Sequence, residues 1–199
     1  MPRPRARLDS AAVTRAFAPD GLHGATSEAV ARSAGVAKPT VYAHGGSKEQ
    51  VFLACLEAEV ERLLSRLSEA DLTTRSSPPG RRIAALAEAI MEHGRVHPAA
   101  ARLLHVTARH TSSTVASDVD AALSRLPARL ASILRRDTTP SCADRVASAL
   151  LGAAAAMALR AQLDPNRDAA MLGAAFAAIL EPDDDATAVH DRVKSVGLY

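Results

Sequence analysis

Tryptophan is absent from the 199 residues, and aromatic side chains make up only 3% of them. Residues that favour strands are correspondingly sparse, while alanine, leucine and arginine dominate, which points to an all-α chain. Two cysteines, Cys55 and Cys142, stand far apart with no C-x-x-C spacing. Neither a disulfide framework nor a zinc site is therefore indicated, and reduced thiols in a cytoplasmic setting fit best. The basic start MPRPRARLDS is followed by no apolar stretch of the kind a signal peptide needs. The longest near-apolar run, residues 146 to 159, is too short to span a bilayer and is bracketed by Arg145 and Arg160. Also missing are a G-x-S-x-G turn, a Cys/His pairing at a diagnostic spacing and paired carboxylates on a common helical face. An enzyme or a small helical carrier is thus disfavoured, and no cofactor is implied.

What is present is helical periodicity with clear punctuation. Apolar residues at Leu8, Ala12, Val13, Ala16 and Phe17 form one face, broken by PDGLHG at 19 to 24. Thr26 is a suitable N-cap for a second short helix that Gly35 ends, and a third begins near Ala37 with Pro39 in its first turn. Ser47 and Gln50 have capping-box spacing at the start of a long helix, 48 to about 69, striped by Phe52, Leu56, Val60, Leu63 and Leu67. TTRSSPPG at 73 to 80 reads as a loop. Helical patterns follow at 81 to 97, 98 to about 110, 115 to 136, about 141 to 163 and about 165 to 180. Pro127 is expected to kink or split the third of these. The plan is three short helices, a connecting helix and a larger helical bundle, with a division at residues 1–50 and 51–199.

The stretch AKPTVYAHGGSKEQ, 37 to 50, gathers two of the chain's three lysines and one of its two tyrosines. Residues 1 to 50 carry seven Lys/Arg against four Asp/Glu, so basic character is concentrated there. Helix, glycine turn and second short helix is the helix-turn-helix arrangement, in which the later helix enters the major groove. Lys38 and Thr40 lie at the end of that helix from which base edges are reached, and Pro39 offers an apolar face to a thymine methyl. Tyr42, His44 and Lys48 can each donate to phosphate oxygens. Val41 points toward the core. Singly, such residues are ordinary at solvated helix ends; it is their grouping that carries the reading. GGSK is no phosphate-binding loop, because Ser47 rather than glycine precedes the lysine and no strand leads in.

Through TSEAVARSAGVAKPTVYAHGGSKEQVF, the region from Leu8 to about Leu56 resembles the DNA-binding region of the TetR family of bacterial transcriptional regulators. The resemblance implies that Thr26 contacts phosphate, with Ser27 a weaker candidate, that Lys38, Pro39 and Thr40 read bases, and that Tyr42, His44 and Lys48 grip the backbone. Gly45 stands where many members carry an aromatic, which implies looser docking of the third helix on the fourth. Pro19 implies an earlier stop to the first helix.

The resemblance further implies an effector-binding second domain and a homodimer formed through the last two helices, about 141–163 and 165–180. These are rich in small residues (Ala149, Gly152, Ala153, Ala156, Gly173, Ala174, Ala177) on more than one face, which suits close helix approach in a two-fold interface or in a monomer core. A symmetric dimer matches a palindromic operator on double-stranded DNA. Phe176 is the lone aromatic between residues 70 and 198, so an aliphatic effector pocket is expected, for a ligand with substantial apolar surface. Its candidate contacts are Met91, Arg102, His105, Arg109 and Met157. His93 and His97 have the i, i+4 spacing of metal ligands, but no third ligand completes a site. A repressor released by its effector is the leading expectation, and a constitutive DNA-binding dimer without a ligand the alternative.

Overall fold

A computed structural model of the chain describes residues 9–107, 114–160 and 165–180. Among them are ten α-helices, one π-helical turn and no strand, in agreement with the all-α expectation. The helices are α1 (Ser10–Phe17), α2 (Gly21–Gly24), α3 (Ser27–Ser33), α4 (Lys38–Gly45), α5 (Lys48–Thr73), α6 (Pro79–Val96), α7 (Pro98–Arg102), α8 (Ala116–Leu134), α9 (Pro140–Ala158) and α10 (Pro165–Leu180). No helix among the described residues is long and apolar enough to cross a membrane.

The chain forms two compact units, one comprising Met1–Glu61 and His97–Leu123, the other Arg62–Val96 and Ser124–Tyr199. In the first, α1 packs against α3, α7 and the π-helical turn, and α3 packs against α4. Phe17 and Phe52 meet edge to face at 5.2 Å, and both are fully buried. Val13, Leu22, Val30, Val41 and Leu56 complete this small core. One buried polar contact crosses it: the Thr14 hydroxyl donates to a Glu59 carboxylate oxygen at 3.1 Å, and both residues are nearly inaccessible to solvent. Cys55 lies beside this pair, and burial pushes its thiol up to about 12, with the Glu59 charge adding to the effect. Both cysteines are free.

In the second unit, α6 packs against α10 and α9 through Ile83, Leu86, Ile90, Ala147, Leu150, Leu151 and Leu172. Close approach of α6 and α10 depends on Gly173, where a Cβ would lie 2.5 Å from the Gly80 carbonyl oxygen. Asp71, 5% exposed, accepts from both terminal nitrogens of Arg136 at 2.7 and 3.1 Å, and Arg82 pairs with Asp137.

Helix α8 is not split at Pro127. The proline removes one backbone hydrogen bond and costs about 3 kcal/mol inside a helix. Burial of Leu126, Leu130, Ile133 and Leu134, each of which contributes about 1.5–3 kcal/mol, outweighs that cost. Two further differences from the sequence reading fall at 19–24 and 98–110. PDGLHG interrupts the helical run yet contributes the short α2, entered through Gly21 at φ 68°. The helix expected over 98–110 changes at Leu103 into a π-helical turn, Leu103–Thr107, with residues 108–110 outside the described set.

Candidate nucleic-acid interface

Local hydrogen bonds that the sequence specifies build the helix-turn-helix. The Thr26 hydroxyl accepts from the Ala29 N–H at 3.1 Å and starts α3, with Glu28 in its first turn. A serine or threonine hydroxyl that accepts one bond still carries a proton it can donate. Gly35 at φ +66° makes the turn after α3, a backbone conformation that side chains with a Cβ rarely adopt. Helix α4 then begins at Lys38 with Pro39 in the first turn, where a missing N–H is not needed. Gly46 at φ +72° makes the second turn. The capping box closes it in both directions: Ser47 Oγ accepts from the Gln50 N–H at 3.3 Å, and Gln50 Oε1 accepts from the Ser47 N–H at 2.8 Å.

Thr26, Lys38 and Pro39 are exposed, Ser27, Thr40 and Lys48 are half-buried, and Val41 is buried. Tyr42 and His44 lie in α4, but their side chains are outside the described set. Lys48 opens α5, and its ammonium donates to the Ala25 carbonyl at 3.1 Å. That brings Lys48 from the start of α5 to the residue preceding Thr26, so the two candidate phosphate contacts share one locality.

Sequence reasoning missed Glu28 as a partner of Lys38. Its carboxylate accepts from Lys38 Nζ at 2.5 Å, joining the first turn of α3 to the first residue of α4, and both side chains remain about half exposed. The Lys38 hydrogen bond, followed by Glu28's own backbone N–H, holds this carboxyl below the usual range. The available signal was two opposite charges at the N-terminal ends of adjacent helices. Nearby, Glu49's own backbone N–H and then Ser47 keep the Glu49 carboxyl below its usual range.

The candidate effector contacts are dispersed over both units. Met91 is buried in α6, and Met157 is half-buried in α9. Arg102, at the end of α7, donates through Nε to the carbonyl of Ala18, the C-cap residue of α1, at 3.1 Å. His105 is half-buried in the π-helical turn, and Arg109 lies outside the described residues. His93 is buried and His97 half-buried. Among the described residues no three His, Cys, Asp or Glu side chains are grouped to hold a metal ion.

Residues 10–55 match the family model for bacterial regulatory proteins of the tetR family. A curated relative, the HTH-type transcriptional activator FasR of Mycolicibacterium smegmatis, is 29% identical over 64% of this chain. The match spans just over half of that relative, 57% of its length. Among solved structures, a TetR-like transcriptional regulator from Rhodococcus sp. RHA1 superposes with a TM-score of 0.68 at 24% identity, covering 89% of this chain and 96% of that one. The regulator FadR of Bacillus subtilis, solved with stearoyl-CoA, superposes with a TM-score of 0.67 at 15% identity over 86% of this chain and 95% of its own. These likenesses show the fold. The family match covers the helix-turn-helix, so residues 10–55 are similar to the DNA-binding region of tetR-family regulators.

Proposed function

We propose that this TetR-type chain binds a palindromic operator as a homodimer and is released from it by a small-molecule effector with substantial apolar surface. The observation that carries the reading is the helix-turn-helix itself. Thr26, Lys38, Pro39 and Thr40 stand at the N-terminal ends of α3 and α4, and Lys48 reaches back beside Thr26. In this reading residues 1–50 form the DNA-binding part and residues 51–199 the effector-binding and dimerisation part. Lys38, Pro39 and Thr40 read bases. Thr26, Ser27, Tyr42, His44 and Lys48 hold phosphates. Operation on DNA places the protein in the cytoplasm, and neither catalysis nor a cofactor is needed.

Dimerisation through α9 and α10 is supported by what those helices leave uncovered. On α9, Ala149, Gly152 and Ala156 are exposed at helical spacing, and nothing lies within 4 Å of the Gly152 Cβ position. On α10, Met171 and Ile179 are 47% and 44% exposed. Apolar surface of this kind on long helices is what a two-fold contact would bury.

The effector is supported by the chemistry of the candidate residues and by resemblance. Met91 and Met157, both in the second unit, are adaptable apolar side chains of the kind that lines a pocket for an aliphatic ligand. The FadR of Bacillus subtilis was solved with stearoyl-CoA, which suggests an acyl-chain ligand class. Release needs the ligand to favour the state that cannot bind the operator, since equal affinity for both states shifts nothing.

The test is selection of bound duplexes from a random DNA pool, followed by a thermal-shift screen of acyl ligands against the purified chain. Enrichment of an inverted repeat, with ligand-dependent stabilisation and loss of operator binding, is the expected result. A pool that stays random overturns sequence-specific dimeric binding. An operator complex that no stabilising ligand dissociates supports the constitutive dimer instead. Repression is the expected sign, whereas the relative FasR is a transcriptional activator. Transcription in vitro from the selected operator placed at a promoter, with and without protein, separates the two signs.

A further inference from the structure

Glu28 is an awkward residue for a surface that has to meet DNA. It is exposed, it sits in the first turn of α3, and its carboxylate lies 2.5 Å from the ammonium of Lys38, the first residue of α4. Half-exposed ion pairs contribute little to stability, so holding α3 against α4 is a poor reason for the pair; the buried side chains Val30 and Val41 serve that purpose. Next to phosphates a carboxylate is repelled. It is tolerated at such a surface where it meets hydrogen-bond donors, and in the major groove those are the exocyclic amino groups of cytosine and adenine.

We propose that Glu28 and Lys38 act together as one base-pair reader, Glu28 accepting from cytosine N4 while Lys38 donates to guanine O6 and N7 of the same G·C pair. This rests on the regulator reading above. The side-by-side acceptor and donor match the G·C edge, where two adjacent guanine acceptors stand beside the cytosine amino group. An A·T pair places its donor, adenine N6, between two separated acceptors, adenine N7 and thymine O4, so an ammonium beside the carboxylate meets one acceptor there instead of the two adjacent ones of guanine. Glu28 is thereby a specificity-determining residue, and the ion pair of the unbound protein holds acceptor and donor side by side.

The experiment runs the random-duplex selection in parallel with the full-length wild type, Glu28→Gln and Lys38→Met. Because both side chains are exposed, the variants should melt with the wild type, which is checked first. Wild type is expected to enrich an inverted repeat with a G·C pair at one position of each half-site. Both variants should lose preference at that same position by about ten-fold per half-site and keep it elsewhere. Unchanged base preference in Glu28→Gln, with binding to all sequences merely tightened, would make the carboxylate a plain repulsive charge and overturn the inference. So would relaxation of different positions by the two variants, or an A·T pair at the shared one. If wild type itself enriches no inverted repeat, the regulator reading fails, and that result is distinct because it precedes any comparison of variants.

Discussion

Replacing Gly173 by alanine sets two effects of known size against each other. Alanine is favoured over glycine inside a helix by about 1 kcal/mol, and Gly173 lies inside α10. Against that gain, the new methyl would lie 2.5 Å from the Gly80 carbonyl oxygen, 2.7 Å from Ala84 Cβ and 3.0 Å from the Ala84 nitrogen. Two of those three atoms are backbone and cannot rotate away, so α10 and α6 have to separate. Overpacking of this kind costs about 1–3 kcal/mol, and a backbone obstacle places it toward the upper end. The net expectation is a loss of about 1–2 kcal/mol. Thermal unfolding at matched protein concentration should show a Tm lower by about 2–4 °C for each kcal/mol lost. The contrasting substitution is Gly80→Ala, whose methyl would meet Ala177 Cβ at 3.3 Å and the Gly173 carbonyl oxygen at 3.6 Å, a milder contact that should cost less. A Gly173→Ala protein as stable as wild type, or more stable than Gly80→Ala, would refute the claim that α6 and α10 pack at the limit of backbone approach.

Three further outcomes are expected. Because burial raises the Cys55 thiol from 9.0 to about 12, native protein at pH 8 should show one rapidly reacting thiol per chain, Cys142, and two after denaturation. The same raised value means that the buried neutral thiol favours the fold fully below pH 9. As pH rises from 9 toward 12 the unfolded chain ionises first, and up to about 4 kcal/mol is lost. Two fast thiols in native protein, or stability that does not fall over that range in the wild type relative to Cys55→Ala, would contradict this. Lys48→Ala should weaken binding to all DNA sequences alike and reduce the salt slope by about one per protomer. A change in base preference with the slope intact would remove Lys48 from the phosphate contacts.

Much of the helix-turn-helix was legible because its determinants are local. The cap at Thr26, the left-handed glycines Gly35 and Gly46, and the reciprocal bonds of Ser47 and Gln50 all act within a few residues of chain. Residue types with one dominant local preference announce themselves there. The ends of the long helices were less legible: α5 continues to Thr73 because nothing before the Ser76–Pro79 region forces it to stop.

Sequence by itself therefore determined the all-α class, the order of the short helices, and the gathering of Lys38, Pro39, Thr40 and Lys48 at one turn. Tertiary structure decided the partners of charged and polar groups, because those are set by distance in space. It brought Glu28 to Lys38 across two helices, Arg102 to the Ala18 carbonyl across 84 residues, and Arg136 to Asp71 across 65. It also let α8 run through Pro127, where the burial of neighbouring leucines outweighs the lost hydrogen bond. A local rule gives the cost of such a feature, and only the packed fold supplies the term that offsets it.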